Sequence, residues 1–239
     1  MKRQHRRDGD TSRFLYESVR TIARVLLPLL ARTHYEGVEN IPSSGPVILA
    51  MNHVHWMDIP LTSVRVPRVT HYMAKIEILR TPLLGAFVSR CGTFPVRRGE
   101  SDREALRVSE RLLDEGEILV IFPEGHRSHG TGLIRGMPGA GFIAMRKHVP
   151  IVPVAIEGTE RVFKGFHYGP WAPPVAIRFG SPFMLQLSEG RRSRENLAGA
   201  TDEIMRHIAA LLPPHLRGPY GEPPDSAWDA ITPPGTSAT

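Results

Sequence analysis

Three stretches of this chain are apolar almost without interruption: VILAMNH from Val47, EILVIF from Glu117 and VPIVPVAIEG from Val149. Short runs of this kind, rich in Val and Ile and bounded by Gly, Pro or polar residues, read as strands buried on both faces. Such strands belong to parallel sheets whose two sides are covered by helices. Further strands are expected over THYMAKI (70–76), TFPVRRG (93–99) and VAIRFGSPF (175–183).

The segments between these strands supply the helices. DIPLTSVRV reads as helical, with Asp58 as its cap and Pro60 tolerated in the first turn. TPLLGAFVSRCG is a helix running into a turn. A helix spans 101–115, opened by a capping box of Ser101 and Glu104 and stopped by Gly116. GAGFIAMRKH and residues 193–212 complete the set. Strands alternating with helices give an α/β domain with a largely parallel sheet flanked by helices. Three regions follow: a basic arm and amphipathic helix over 1–32, the α/β domain over 33–212, and a tail over 213–239 dense in proline and glycine, read as disordered.

The helix predicted over 12–32 carries a polar stripe of Arg13, Glu17, Arg20 and Arg24 opposite an apolar stripe of Leu15, Val19, Ile22, Leu26 and Leu29. That pattern suits either packing on the domain core or lying in a membrane interface. No run approaches the roughly 20 apolar residues needed to span a bilayer. The basic start, MKRQHRRDGD, lacks the apolar stretch of a secretory signal. The expectation is a protein in solution or on a membrane surface.

The formal net charge of +6 favours polyanions: nucleic acid, anionic lipid or a phosphorylated substrate. A nucleic-acid partner is not expected, because no aromatic-interleaved basic motif or helix-turn-helix pattern is present. The single cysteine, Cys91, excludes an internal disulfide and a multi-cysteine zinc site, and fits a reducing compartment. Cys91 reads as a small packed residue rather than a nucleophile.

The stretch MNHVHWMD (51–58) places His53 and His55 ahead of Asp58. It admits three readings: a general base with its orienting carboxylate, half a metal site, or a turn whose aspartate caps a helix. The His-x4-Asp spacing alone does not choose, since His5 and Asp10 repeat it in the basic arm. A separation of five keeps the two side chains apart on a regular helix or strand. Only a strand-turn-helix bend brings them together, and such a bend at the carboxyl end of a parallel strand is where open α/β sheets bind ligands. FPEGHRS (122–128) follows another buried strand and surfaces at the same edge, with Glu124, Gly125 and Arg127. GTFPVRRG presents Arg97 and Arg98, either a solvated pair or a phosphate clamp. A zinc site from His53, His55, His126 and His129 is the weaker alternative, since no HEXXH pattern supports it. The G-x-S-x-G elbow of esterases is absent too.

Taken in order, NHVHWMD, GTFPVRRG, FPEGHRS and VPIVPVAI resemble the four blocks of the glycerolipid acyltransferases, whose best-known members are the lysophosphatidic acid acyltransferases. The resemblance covers residues 33–185. It implies a single acyltransferase domain that moves an acyl group from acyl-CoA or acyl carrier protein to a lysophospholipid hydroxyl, giving phosphatidic acid. His53 would be the general base and Asp58 its orienting partner. Arg98 would bind the acceptor phosphate, Glu124 and Gly125 would shape the acceptor site, Arg127 would add a contact, and Pro153 would support the pocket. No cofactor or metal is implied, because a thioester is already activated. The partners implied are the lysophospholipid, the thioester carrier and an anionic membrane surface, at the cytoplasmic face and without a spanning segment. Other acceptors, namely a lyso-ornithine lipid or glycerol 3-phosphate, and a non-catalytic lipid-binding module remain as alternatives. His55, Arg97, His126 and Met137 depart from the commonest residues of the blocks and leave the acceptor open.

Overall fold

The computed structural model describes residues 11–97, 102–164, 168–185 and 194–221. Its strands are β1 (Arg32–Glu36), β2 (Val47–Met51), β3 (Thr70–Lys75), β4 (Thr93–Val96), β5 (Ile118–Ile121), β6 (Ile151–Glu157) and β7 (Pro174–Phe179). They form one sheet in the order β1-β7-β6-β2-β5-β3-β4. Strands β2 to β6 run parallel, while β7 joins β6 antiparallel and β1 pairs in parallel with β7. The three uninterrupted apolar runs are the three central strands, as their composition requires.

Side-chain alternation divides these strands between two cores. Ile48, Ala50, Leu119, Ile121, Ile151 and Ala155 point to one face. Val47, Leu49, Met51, Ile118, Val120, Val152, Val154 and Ile156 point to the other. Each large aliphatic side chain so buried contributes roughly 1.5–3 kcal/mol. Helices α5 (Arg103–Asp114), α6 (Pro138–Lys147) and α7 (Arg194–Ala210) cover the first face. Helices α1 (Arg13–Leu30) and α2 (Asp58–Ser63) cover the second. The short α3 (Ile76–Leu79) and α4 (Leu84–Arg90) follow β3 at the far edge.

One strand was not foreseen, and two local expectations are corrected. Strand β1, RTHYE, has no apolar run to announce it; it exists because its backbone completes β7 at the sheet edge. Asp102 caps α5, accepting from the Glu104 and Ala105 amides; Ser101 lies outside the described residues. The expected tail begins with structure: short 3-10 turns at Pro214–Leu216 and Gly218–Tyr220 pack on the domain, and the Tyr220 hydroxyl accepts from Gly136 N and donates to Asp202. Residues 1–10 and 222–239, which include His5 and Asp10, lie outside the described residues.

Helix α1 is oriented against its pattern. Two arginines of its polar stripe reach the protein: Arg20 donates to Val66 O at 2.8 Å and Arg24 to Val64 O at 2.9 Å, while Arg13 is exposed. Tyr16 and Leu27 are buried, while Phe14, Ile22, Val25, Leu26 and Leu29 face outward, Phe14 at 85% exposure. The guanidinium groups satisfy carbonyls just past the end of α2, and that leaves the apolar arc without cover.

Candidate active site

Strand β2 ends at Met51, and the chain turns sharply through 52–57 before α2 begins at Asp58. That bend closes the gap which neither helix nor strand would close. His53 Nδ1 lies 2.8 Å from Asp58 Oδ2, with both side chains buried. Asp58 Oδ2 also accepts from the amides of Val54 (2.7 Å) and His55 (2.9 Å), and Oδ1 accepts from the Thr159 hydroxyl at 2.6 Å. The capping reading of Asp58 is corrected: Met57 is the N-cap of α2, with no side-chain cap hydrogen bond, and the Asp58 carboxylate instead holds the loop that carries the histidine and the histidine itself. With an acceptor on Nδ1, the ring proton sits there and Nε2 keeps its lone pair for the cleft that His53 lines.

The loop after β5 fixes His53 from the other side. Glu124 Oε1 accepts from His53 N at 2.8 Å, and Ser128 N donates to His53 O at 2.7 Å. Glu124 Oε2 accepts from Ile134 N at 3.0 Å. The Phe122 ring stacks on the imidazole at a centroid distance of 4.1 Å. Glu124 is fully buried, and burial pushes its carboxyl up to about 7, with the Asp58 charge adding and the two amide hydrogen bonds opposing. Its oxygens are engaged by backbone, so it is placed to position His53 rather than to touch a substrate. Gly125 has φ +71, and a Cβ there would lie 2.5 Å from Met137 Sδ.

One space opens at His53, and a second adjoins it through shared walls. The first is an apolar cleft of about 560 Å³ between α1, the α3–α4 segment and the strand ends, lined by His53, Tyr16, Tyr72, Phe87 and Phe122. The other, of about 500 Å³, is lined by Lys75, Ile78, His126, Arg127 and His129. Lys75, Ile78 and Arg127 line both. Among the described residues the second space has cations and imidazoles on its walls and no carboxylate.

The structure therefore brings together His53, Asp58, Glu124, Gly125 and Arg127. Arg98 lies outside the described residues. Pro153 lies in β6 opposite Ala50 and lines neither space, so its expected place at the pocket becomes one within the sheet. His55 does not compete for the Asp58 carboxylate through its ring; only its amide bonds there, and its buried Nδ1 has no partner. Among the described residues no three His, Cys, Asp or Glu side chains are placed to share a metal ion. Sequence reasoning missed Lys75, whose only signal was a cation at the carboxyl end of a predicted strand. It also missed Asn52, whose amide exchanges two hydrogen bonds with Ile156 and clips β2 to β6.

Residues 32–157 match the family profile described as Acyltransferase. This chain belongs to the acyltransferase family. Its relatives include the 1-acyl-sn-glycerol-3-phosphate acyltransferase of Bacillus subtilis, 30% identical over 199 residues that cover 82% of this chain and 96% of that protein. The lyso-ornithine lipid O-acyltransferase of Pseudomonas aeruginosa is 34% identical over 114 residues, 47% of this chain and 43% of that one. The crystal structure of the 1-acyl-sn-glycerophosphate acyltransferase PlsC from Thermotoga maritima superposes with a TM-score of 0.63 at 27% identity, covering 82% of this chain and 79% of that one. The acyltransferase is an enzyme of the 1-acylglycerol-3-phosphate O-acyltransferase type, in phospholipid biosynthesis. Among its described residues no helix is long and apolar enough to cross a membrane.

Proposed function

We propose that this acyltransferase moves a fatty acyl group from an acyl-CoA or acyl carrier protein thioester to the free hydroxyl of 1-acylglycerol 3-phosphate, releasing phosphatidic acid and a thiol. The observation that carries the reading is the buried His53–Asp58 pair, with His53 lining an apolar cleft that shares Lys75, Ile78 and Arg127 with a basic pocket. The acceptor's phosphate sits among Lys75, Arg127, His126 and His129, and its single tail lies in the cleft that shares three residues with that pocket. His53 Nε2 takes the hydroxyl proton as the oxygen attacks the thioester carbonyl. The new C–O bond forms, the C–S bond breaks, and the proton passes from His53 to the departing thiolate. Asp58 stabilises the imidazolium in between. A positioned base of this kind supplies about 10²- to 10⁴-fold.

Two features favour this acceptor over the alternatives. An ornithine headgroup is zwitterionic, with a net charge near zero and an ammonium that a pocket walled by cations disfavours, whereas a phosphate monoester is a net anion that gains charge-assisted hydrogen bonds there. Glycerol 3-phosphate has no tail for the apolar cleft. The outward apolar arc of α1, with Leu83, Leu84 and Phe87 exposed at α4 beside the same cleft, supports peripheral docking on the cytoplasmic face of a membrane that delivers the acceptor.

Thiol release from purified protein, with acyl-CoA and a panel of lysolipids, tests the reading. Lysophosphatidic acid is the expected best acceptor. His53→Ala abolishes release and His5→Ala leaves it intact. Lys75→Ala and Arg127→Ala raise KM for lysophosphatidic acid more than for lyso-ornithine lipid. Full turnover in the His53 variant, or equal use of both lipids by all variants, refutes it.

A further inference from the structure

The last of the four sequence blocks ends at Ile156 and the family match at Glu157, yet the chain meets the buried pair once more just beyond them. Asn52, the residue before His53, holds Ile156 by two hydrogen bonds of 2.8 and 2.7 Å, so the carboxyl ends of β2 and β6 are fixed side by side. At Gly158 the chain leaves the sheet with φ +89, and a Cβ there would stand 2.4 Å from Pro174 O, so the turn requires glycine. It delivers Thr159 as the first residue of a 3-10 turn, Thr159–Arg161, in which Arg161 N donates to Gly158 O and Val162 N to Thr159 O, both at 3.1 Å. Val162 then enters the core, and Phe163, at φ +69, stacks on Trp56 at a centroid distance of 5.5 Å. Trp56 belongs to the turn that carries His53. A bulky residue keeps such a φ only where its surroundings hold it, so the segment after β6 is seated firmly on that turn.

The inner contact of this segment is the Thr159 hydroxyl, which donates to Asp58 Oδ1 at 2.6 Å with both residues fully buried. The two carboxylate oxygens are held unequally. Oδ2 meets His53 Nδ1 and accepts from the Val54 and His55 amides, whereas Oδ1 has only this hydroxyl among the described residues. The terminal torsion of an aspartate is soft and two-fold, so the side chain of Asp58 does not by itself fix its plane. Threonine is stiff at χ1 and has one hydroxyl proton to give. Holding Oδ1 fixes the carboxylate plane, and with it the direction from which Oδ2 meets the imidazole. We infer that Thr159 is a positioning residue of the acyl transfer, one that aims the Asp58 carboxylate at His53 and satisfies the oxygen that the His53 turn leaves over. It lines neither the apolar cleft nor the basic pocket and acts through Asp58 alone. This rests on the reading of His53 as the base.

Thr159→Val keeps the shape of the side chain and removes the donor, and Thr159→Ser keeps the donor. With acyl-CoA and the best acceptor of the lysolipid panel, Thr159→Val is expected to lower kcat about tenfold or more while KM for both substrates stays within about twofold. Thr159→Ser stays within about threefold of the wild-type kcat. The loss also depends on the carboxylate charge: in an Asp58→Asn background the valine substitution costs less than about threefold further. Thr159→Cys, a weaker donor, falls between serine and valine and serves where the valine variant does not fold. Wild-type kcat in Thr159→Val or Thr159→Cys, a serine variant as slow as the valine one, a loss that appears in KM instead, or losses that multiply fully in the double variant overturns the inference. Full turnover in His53→Ala refutes the base itself; an inactive His53→Ala beside an unimpaired Thr159→Val refutes only the role given to Thr159.

Discussion

Replacing Asp58 by asparagine separates charge from scaffolding. The carboxylate accepts four hydrogen bonds, from His53 Nδ1, Val54 N, His55 N and the Thr159 hydroxyl. An asparagine whose amide oxygen takes the place of Oδ2 keeps the first three, and its NH2 group meets a Thr159 hydroxyl that rotates to accept. The loop and the histidine tautomer survive, at neutral rather than charge-assisted strength, a loss of about 1–3 kcal/mol in all. What disappears is the negative charge facing the imidazolium. Two charges about 4 Å apart at an effective dielectric near 20 interact by about 4 kcal/mol, so 2–4 kcal/mol of transition-state stabilisation is at stake, or about 30- to 10³-fold in kcat. Alanine does something different. It strands the same donors, which costs about 3–5 kcal/mol and lowers Tm by about 6–20 °C. Thiol release gives kcat, and calorimetry gives Tm. A Asp58→Asn protein that keeps kcat within about threefold at an unchanged Tm refutes the electrostatic role and reduces Asp58 to a loop clamp.

Three further outcomes follow from neighbouring contacts. Asn52→Ala strands the Ile156 amide and carbonyl at the end of β6, and urea denaturation should register a loss of about 2–4 kcal/mol. Glu124 titrates near 7 in the folded protein against an ordinary value of 4.5, so it favours folding most below pH 4.5 and loses that contribution as pH rises through 7. The stability of the wild type relative to Glu124→Gln should fall, by on the order of 3 kcal/mol, between pH 4.5 and 8, and parallel pH curves would contradict the shift. His55→Ser removes a buried Nδ1 that has no partner and keeps the amide bond to Asp58; its kcat should change less than about threefold and its stability should hold or rise. A hundredfold loss of kcat would make His55 part of the machinery.

The sheet was legible because burial on both faces leaves a direct mark on sequence. Val47–Met51, Ile118–Ile121 and Ile151–Glu157 are short, rich in Val and Ile and buried along almost their whole length. Strand β1 left no mark because an edge strand can be built from polar residues once a neighbour supplies its ladder. The meeting of His53 with Asp58 was legible as a condition, a bend between strand and helix, though not as a distance. What sequence concealed is that Glu124 acts on His53 through backbone. A glutamate in a surface-seeking loop reads as a ligand, and only its burial, with both oxygens taken by amides, reveals a clamp. The orientation of α1 was concealed for the opposite reason. Of the expected apolar stripe Ile22, Leu26 and Leu29 face outward while Leu15 and Val19 are half-buried, and Arg20 and Arg24 turn to the protein because carbonyls past α2 needed donors.

That inversion ties the exposed helix to the chemistry. Arg20 and Arg24 hold the Val66 and Val64 carbonyls just past the end of α2, a helix of six residues whose first is Asp58. A helix this short has little stability of its own, so its ends are set by what grips them. At one end the grip is α1, and at the other it is His53, Val54, His55 and Thr159. Seating the apolar arc of α1 on a bilayer would hold both arginines in place and so steady the carboxylate that orients the base. On that logic Arg20→Ala together with Arg24→Ala should lower kcat with little change in KM for either substrate. If the double variant keeps full kcat on vesicles, α1 and the turn that carries His53 are independent.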